Sequence, residues 1–475
     1  MNNSTVKPQR DIVLKSGVWY TFSTFLFRGM AFITTPIFTR LLTKGEYGDF
    51  SNIAAWLSIL MVLTSWDLHT SIVRSKLEFK EDMDSYVLSI LTLSTLITAV
   101  IYIIVLVFKD FFCNKVFGID EQYINLMFLY LFAAPAFNML TTKNRAFYKY
   151  KMFTILTGVS VVTSTILSLI LVLIMDNNRL MGRVVGQYLP LIFLGFAMYI
   201  FLFAKGRGIK LKYWDYAISI CLPLVPHVLS MHILSASDRI IIKRISGAEA
   251  AAIYSVAYSC AHIVSILLDS MNKAWAPWLL DSIHCKDFKS IKKVSKTYFL
   301  LFFVLVIGIL LIVPEIIYIL GGKSYIEAKY VLPPLILGTL FQFVYTMYVQ
   351  IEFYSKKTIG IAMATGTAAV INIVLNLIFI PIYGYVAAAY TTLVGYICLL
   401  FIHYYLVKGL KMEKIYDRRI IFIGLAIAIP LTFIILYTYS ANLLRYCLLA
   451  LYVMLIIWAF IKNRKTVIKI FKNKK

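Results

Sequence analysis

The chain has 475 residues, 60% hydrophobic and only 15% charged, with a mean hydropathy of +0.80. A soluble domain is about one-quarter charged, so a soluble fold is excluded and no stretch remains for a separate extramembrane domain. The formal net charge of +24 would suit a nucleic-acid partner, but most of the excess lies in short connectors between apolar segments, so no nucleic acid is expected.

A hydrocarbon core about 30 Å thick takes about 20 apolar residues per helical span, and fourteen such segments follow in order. The first seven run Gly17 to Thr39, Asp49 to His69, Ser85 to Phe108, Tyr123 to Thr142, Met152 to Met175, Leu180 to Ala204 and Tyr216 to Ile242. The second seven run Ala250 to Asn272, Thr297 to Leu320, Val331 to Ile351, Thr358 to Ile380, Tyr385 to Val407, Ile420 to Tyr437 and Leu443 to Ile461. Continuous apolar runs indicate helices, since barrel strands alternate over about ten residues. The expected fold is all-α and polytopic.

Connectors on the side of the N-terminus hold 33 Lys and Arg residues against 10 on the other side, with Arg445 counted in the last connector. The positive-inside rule then places both termini in the cytoplasm, and the basic tail after Ile461 requires an even number of spans. The first segment is too long for a signal-peptide core and has no small-residue cleavage site, so it is read as an uncleaved span. The connector from Asp281 to Lys296 reads as an interfacial amphipathic helix, with Ile283, Phe288, Ile291 and Val294 opposite Lys286, Lys289, Lys292 and Lys293. Six scattered cysteines without a C-x-x-C pair indicate neither a metal site nor a disulfide framework, and no cofactor is expected.

The chain also repeats itself. RLLTKGEYGDFS at 40–51 aligns with RISGAEAAAIYS at 244–255 at an offset of 204. FYKYK at 147–151 aligns with FYSKK at 353–357 at 206, and Lys205-Gly206 with Lys408-Gly409 at 203. Three ordered matches at nearly one offset imply two six-helix lobes, 1–213 and 214–411, with helices 13 and 14 and the basic tail in 412–475. Six is even, so the copies share one orientation and a pseudo-two-fold axis along the membrane normal, with a cavity between them.

No catalytic constellation is present: the chain lacks H-E-x-x-H, G-x-S-x-G and a phosphate-binding glycine loop. Four cations lie outside the connectors: Arg28, Arg183, Arg239 and Lys273. The last three are near span ends and are expected to snorkel to the interface. Arg28 sits about 16 Å from either interface at the helical rise, where an arginine costs about 2.5–3.5 kcal/mol on insertion scales. Either it lines a cavity for an anionic group, or it bonds to carbonyls freed where Pro36 kinks the helix; its depth favours the cavity. Its repeat counterpart at the 204 offset is His232.

Helix 7 carries Pro223, Pro226, His227, His232, Asp238 and Arg239. Its prolines make it a hinge candidate, and adjacent Asp238 and Arg239 point to different faces and are not each other's partners. Asp67, Asp269 and Glu315 lie near span ends and read as interfacial. Asn372 and Asn376, one turn apart, read as interhelical hydrogen-bonding groups or cavity polar groups.

At these residues a family resemblance emerges. SDRIIIKRISGAEAAAIYSVAYS at 237–259 resembles the D-R-x-I-I and Y-S-V-A-Y segment of polysaccharide repeat-unit flippases, in the polysaccharide transporter branch of the MOP superfamily. WAPW at 275–278 is similar to their W-x-P-W element, and RLLTKGEYG at 40–48 to their first loop. The runs 321–338, 353–358 and 376–389 look like the family's C-terminal half.

The resemblance implies translocation of undecaprenyl-diphosphate-linked oligosaccharide from the cytoplasmic to the outer leaflet of a bacterial plasma membrane, by alternating access and without enzymatic chemistry. It makes Arg28, with His232, the candidate for the diphosphate, and Asp238, Arg239, Pro223 and Pro226 candidates for gating or structure. Membrane lipids and other membrane proteins of polysaccharide assembly are the further partners. A multidrug or cation antiporter of related fold should carry acids deep in a lobe, whereas the deepest charge in the sequence is a cation. A flippase of a lipid-linked peptidoglycan precursor is the alternative within the class.

Overall fold

The computed structural model describes residues 10–355 and 357–462; the side chains of most of residues 10–25, and that of Arg28, lie outside the described residues, as do Lys7 and the basic tail beyond Lys462. Fourteen long helices follow in the order of the expected spans. They are α1 Arg10–Leu41, α2 Lys44–Ser65, α3 Met83–Val107, α4 Glu121–Ala146, α5 Tyr150–Ile174, α6 Arg179–Lys205 and α7 Val225–Ser246. Then come α8 Ala248–His284, α9 Phe288–Leu311, α10 Ala328–Tyr354, α11 Thr358–Tyr383, α12 Ala387–Gly409, α13 Arg418–Tyr437 and α14 Asn442–Lys462. No strand occurs among the described residues. The chain is a multi-pass membrane protein: 12 helical stretches are long and apolar enough to cross a membrane, and α2 becomes a 13th with its bent continuation. Against the fourteen spans expected, α1 stands outside that count.

Three expected spans are broken, each for a local reason. The capping box between Thr43 and Glu46 starts α2, but Trp66 and Asp67 have φ of 45° and 52°. Two left-handed residues in succession end a right-handed helix, and the chain bends by 56° into Leu68–Glu78. Pro223 and Pro226 stand in the first turns of Leu222–Leu224 and of α7, so Leu211–Cys221 is a separate helix. Proline lacks the N–H that a continuous helix would use there. Pro314 likewise opens Val313–Gly321 as a helix distinct from α9.

The expected interfacial helix at Asp281 to Lys296 does not form. Instead α8 runs 37 residues to His284 and α9 starts at Phe288, so the basic-apolar pattern belongs to the extensions of two membrane helices. Ile283 and Ile291, one on each helix, are buried, whereas Phe288 and Val294 are exposed. The Asp287 carboxyl caps α9 through the Ser290 N–H, and the Ser290 hydroxyl together with that N–H holds it below the usual carboxylate range.

Two apolar clusters are built from the first six long helices together with Leu68–Glu78 and Leu211–Cys221, and a larger one is built mainly from α7 to α13. The two groups meet where α2 packs on α7 and α8, and where α1 packs on α8 and Val313–Gly321. α13 packs on α9 and α10, and α14 packs on α9. Arg445, counted with the connectors by sequence, is buried within α14; its guanidinium donates to Glu315 at 2.5 and 2.6 Å and to the Leu311 carbonyl at 3.1 Å. Glu315 is thereby tied to α14 at the break after α9.

Candidate functional site

Where α1 passes into α2, the two groups of helices are fastened together. Thr39 donates its hydroxyl to the Leu320 carbonyl at 2.6 Å, and Arg40 donates to the Ile319 carbonyl at 3.1 Å. Nearby, Lys243 pairs with Asp49 at 2.8 Å and donates to the Gly118 carbonyl, while Arg244 donates to the Lys115 carbonyl. α2 and α8 start side by side, so close that a Cβ on Gly48 would overlap the Ala248 carbonyl. The segments that meet here are the two that repeat at the 204 offset.

Just inside this seal lie two arginines, one from each group. Arg183, on α6, is 8% exposed, so the expected snorkelling to the interface does not occur. Its guanidinium lies 3.7 Å from the Phe38 ring centroid and 4.3 Å from that of Phe50, and donates to Ser168 at 2.8 Å and Gln187 at 3.0 Å. Rings and hydroxyl replace the water that a snorkelling head would seek. Arg239, on α7, is half-buried over the Tyr258 ring at 4.9 Å and donates to the Ser235 carbonyl. Both guanidiniums are within electrostatic reach of Tyr47, which also adjoins Thr35 and Ser259. Neither is within ion-pair distance of a carboxylate among the described residues. Arg183→Ala should lower the melting temperature of the purified protein by the equivalent of about 2 kcal/mol, the scale of a desolvated cation–ring contact. Arg183→Lys should fall between the two, because it keeps charge without the planar fork.

Behind Arg239, a polar network occupies the apolar interior. Asp238 is 1% exposed and accepts from Tyr254 of α8, from Asn376 of α11 at 2.6 Å and from Thr392 of α12 at 2.6 Å. Asn376 also donates to Asn372 at 3.2 Å and accepts from Thr391; Ser237 donates to Asn372 at 3.4 Å. One α7 carboxyl thus holds three neighbouring helices. An all-oxygen set of this kind is chemistry that suits hard cations, though here the donors are already turned onto the carboxyl. Among the described residues no group of three His, Cys, Asp or Glu side chains is placed for a metal.

Sequence spacing places Asn372 and Asn376 on one face of α11, and the structure brings them to Asp238. Tyr254, Thr391 and Thr392 carry no such signal, being hydroxyl residues among many on other helices. The expectation that no acid lies deep within a half is overturned by Asp238. Its burial is compatible with an apolar interior because both oxygens are hydrogen-bonded. His232 is half-buried on α7 and lies near Asp67. Pro223 and Pro226 sit at the break before α7. Arg28 is on α1. Towards the opposite end from the seal, a cavity of about 360 Å³ is lined by Phe27, His69, Asn138, Thr141, Arg145 and Thr157, among others.

A family model described as polysaccharide biosynthesis protein matches residues 13–283, more than half of the chain. The chain belongs to the polysaccharide biosynthesis protein family. This polysaccharide biosynthesis protein is 22% identical over 376 residues to the Lsg locus putative protein 1 of Haemophilus influenzae, covering 76% of the chain and 90% of that relative. It superposes on the lipid II flippase MurJ in an inward closed conformation with a TM-score of 0.66 and 15% identity, over 95% of this chain and 100% of the other. An inward-facing multidrug resistance MATE family transporter of the MOP superfamily matches with a TM-score of 0.53 and 13% identity, over 82% and 98% of the two chains. At such identities the likeness is one of fold, and the fold is that of MOP-superfamily transporters.

Proposed function

We propose that this protein is a flippase, not an enzyme, that moves undecaprenyl-diphosphate-linked oligosaccharide from the cytoplasmic to the outer leaflet of a bacterial plasma membrane. The observation that carries the reading is the pair Arg183 and Arg239, two guanidiniums from opposite groups of helices, neither within ion-pair distance of a carboxylate among the described residues. A planar guanidinium donates two parallel bonds to a phosphate, and two of them match a diphosphate head. Arg28 of α1 and His232 of α7 are proposed as further groups for that head. The basic connectors put both termini in the cytoplasm, which makes the sealed end the outer one and the conformation inward-facing. The glycan head then enters from the cytoplasm, the lipid tail stays in the bilayer, and rocking of residues 1–213 against 214–411 reopens the other end.

A multidrug or cation antiporter is the weaker reading. The field of two arginines just inside the seal disfavours a cationic drug, and Asp238 is enclosed by donors within the second group of helices. A lipid-linked peptidoglycan precursor is a second cargo, favoured by the fold match to a lipid II flippase; it presents the same diphosphate.

Deletion of the gene tests the function. Lipid-linked repeat units should accumulate facing the cytoplasm and surface polysaccharide should disappear. Accumulation of a peptidoglycan precursor would favour the second cargo, and drug sensitivity without accumulation would overturn the flippase. Restoring the gene as Arg28→Ala should leave export far below wild type, with Arg28→Lys retaining part; normal surface polysaccharide from inserted Arg28→Ala protein would remove Arg28 from the site.

A further inference from the structure

The second group of helices encloses an acid and a histidine that the site described above does not use. Glu352, at the end of α10 away from the seal, is 1% exposed, and His403, near the same end of α12, is 0% exposed. His403 Nδ1 and Glu352 Oε1 are 2.7 Å apart. The outer atoms of both groups, Glu352 Oε2 and His403 Nε2, have no hydrogen-bond partner among the described residues. The imidazole is stacked on the Tyr345 ring at 5.5 Å between centroids, and Oε2 faces the first turn of α11 at Gly360.

We propose that Glu352 and His403 together form a proton-binding site that couples a proton gradient to the movement of the helices. Two lone pairs at 2.7 Å would repel, so one proton always lies between Nδ1 and Oε1. With that proton alone, the pair is a neutral imidazole hydrogen-bonded to a carboxylate and carries one negative charge. A second proton adds to Nε2 or to Oε2, the two atoms left without partners, and brings the pair to zero charge. No other bond changes. An uncompensated carboxylate is costly in an apolar interior, so the closed site holds its second proton. The proton leaves when α10 and α12 part locally, within the second group of helices, and admit water to the pair. The second proton thus lets the pair stay enclosed between α10 and α12, and its loss leaves a charge that favours their opening to water.

Among the described residues, no charged group forms an ion pair with the Glu352–His403 pair. His227 of α7 faces His403 and is itself bonded to Thr365 at 2.8 Å. Asp269 of α8 lies beyond Tyr345. Glu413 and Arg418, in and after the α12–α13 connector, lie beyond Tyr348 of α10. Lys357 meets Glu352 only through its backbone N–H, at 3.0 Å from the Glu352 carbonyl.

The transport consequence rests on the flippase reading, whereas the protonation itself can be read without it. The full-length protein, with 15N-labelled histidine, would be purified in lipid nanodiscs and its six histidines observed by NMR, with His403 assigned by the signal lost in H403Q. The His403 ring signals should change reversibly with pH in wild type, directly if the second proton adds at Nε2 and through the Nδ1–Oε1 hydrogen bond if it adds at Oε2. In E352Q that titration should move, since the negative partner is gone. A His403 signal that does not titrate, or that titrates identically in E352Q, overturns the site. In proteoliposomes carrying undecaprenyl-diphosphate-linked oligosaccharide, an imposed pH gradient should raise wild-type flipping several-fold. In E352Q of normal monodispersity, the ratio of rates with and without the gradient should fall to unity, and E352D should restore part of it. A full gradient response in E352Q overturns the coupling role and leaves the flippase intact. Absence of wild-type flipping overturns the flippase, while the NMR titration still decides the site.

Discussion

Asp238→Ala is expected to destabilise the protein severely and to stop export. The substitution removes the acceptor shared by Tyr254, Asn376 and Thr392, leaving three donors buried within one small region. A buried donor without a partner costs about 1–3 kcal/mol. Hydrogen bonds in membrane proteins average nearer 0.6 kcal/mol, so the loss is about 2 kcal/mol at the low end and several at the high end. Asp238→Asn should lie between, because the amide keeps one acceptor oxygen but turns an N–H towards groups that are themselves donors. Thermal unfolding of the purified variants gives the order wild type, Asn, Ala. An Asp238→Ala protein that melts with wild type would show that the network does not hold α7 to α8, α11 and α12.

Gly48→Val is expected to open the sealed end. A Cβ at this position meets the main-chain carbonyl of Ala248, and a carbonyl cannot step aside as a flexible side chain would. Overpacking costs about 1–3 kcal/mol, and each 1.4 kcal/mol changes a conformational ratio about tenfold. The population open at the sealed end should therefore rise by about one to two orders of magnitude. Spin labels at Lys44 and Lys323, on opposite sides of the seal, give the readout after the native cysteines are replaced. A new long-distance component should appear in Gly48→Val. Gly45→Ala is the control, since a Cβ there meets only the Thr43 hydroxyl at 4.0 Å. Identical distance distributions in Gly48→Val and wild type would remove the close approach of α2 and α8 as a determinant of closure.

The order of the long helices was legible because continuous apolar length needs no knowledge of neighbours. The breaks were partly legible: Pro223 and Pro226 announce theirs, whereas the left-handed turn at Trp66 and Asp67 leaves no mark in residue type. The 281–296 stretch misled because its alternation of isoleucine and lysine suits an interfacial helix as well as the extensions of two membrane helices. Only the turn at Cys285–Asp287 decides between them. Arg183 was misread for a related reason, since distance from a span end says nothing of whether two phenylalanine rings await the side chain. Asn372 and Asn376 were visible as a pair through helical spacing. Glu352 and His403 lie on separate helices, each near an end where polar residues are ordinary, and only the packing of α10 on α12 unites them.

The seal between the two groups of helices has a consequence for how such proteins diverge. Apart from the Lys243–Asp49 pair, its fastenings run from a side chain on one segment to a main-chain oxygen on another: Thr39 to Leu320, Arg40 to Ile319, Lys243 to Gly118 and Arg244 to Lys115. A main-chain oxygen is supplied by any residue, so the accepting positions are free to change identity while the contact persists. Paired substitutions between the two sides would then be absent from alignments of relatives, and covariation would miss most of this interface. The donor positions alone carry the constraint, and a seal of this construction can be inherited by chains whose accepting loops have drifted beyond recognition.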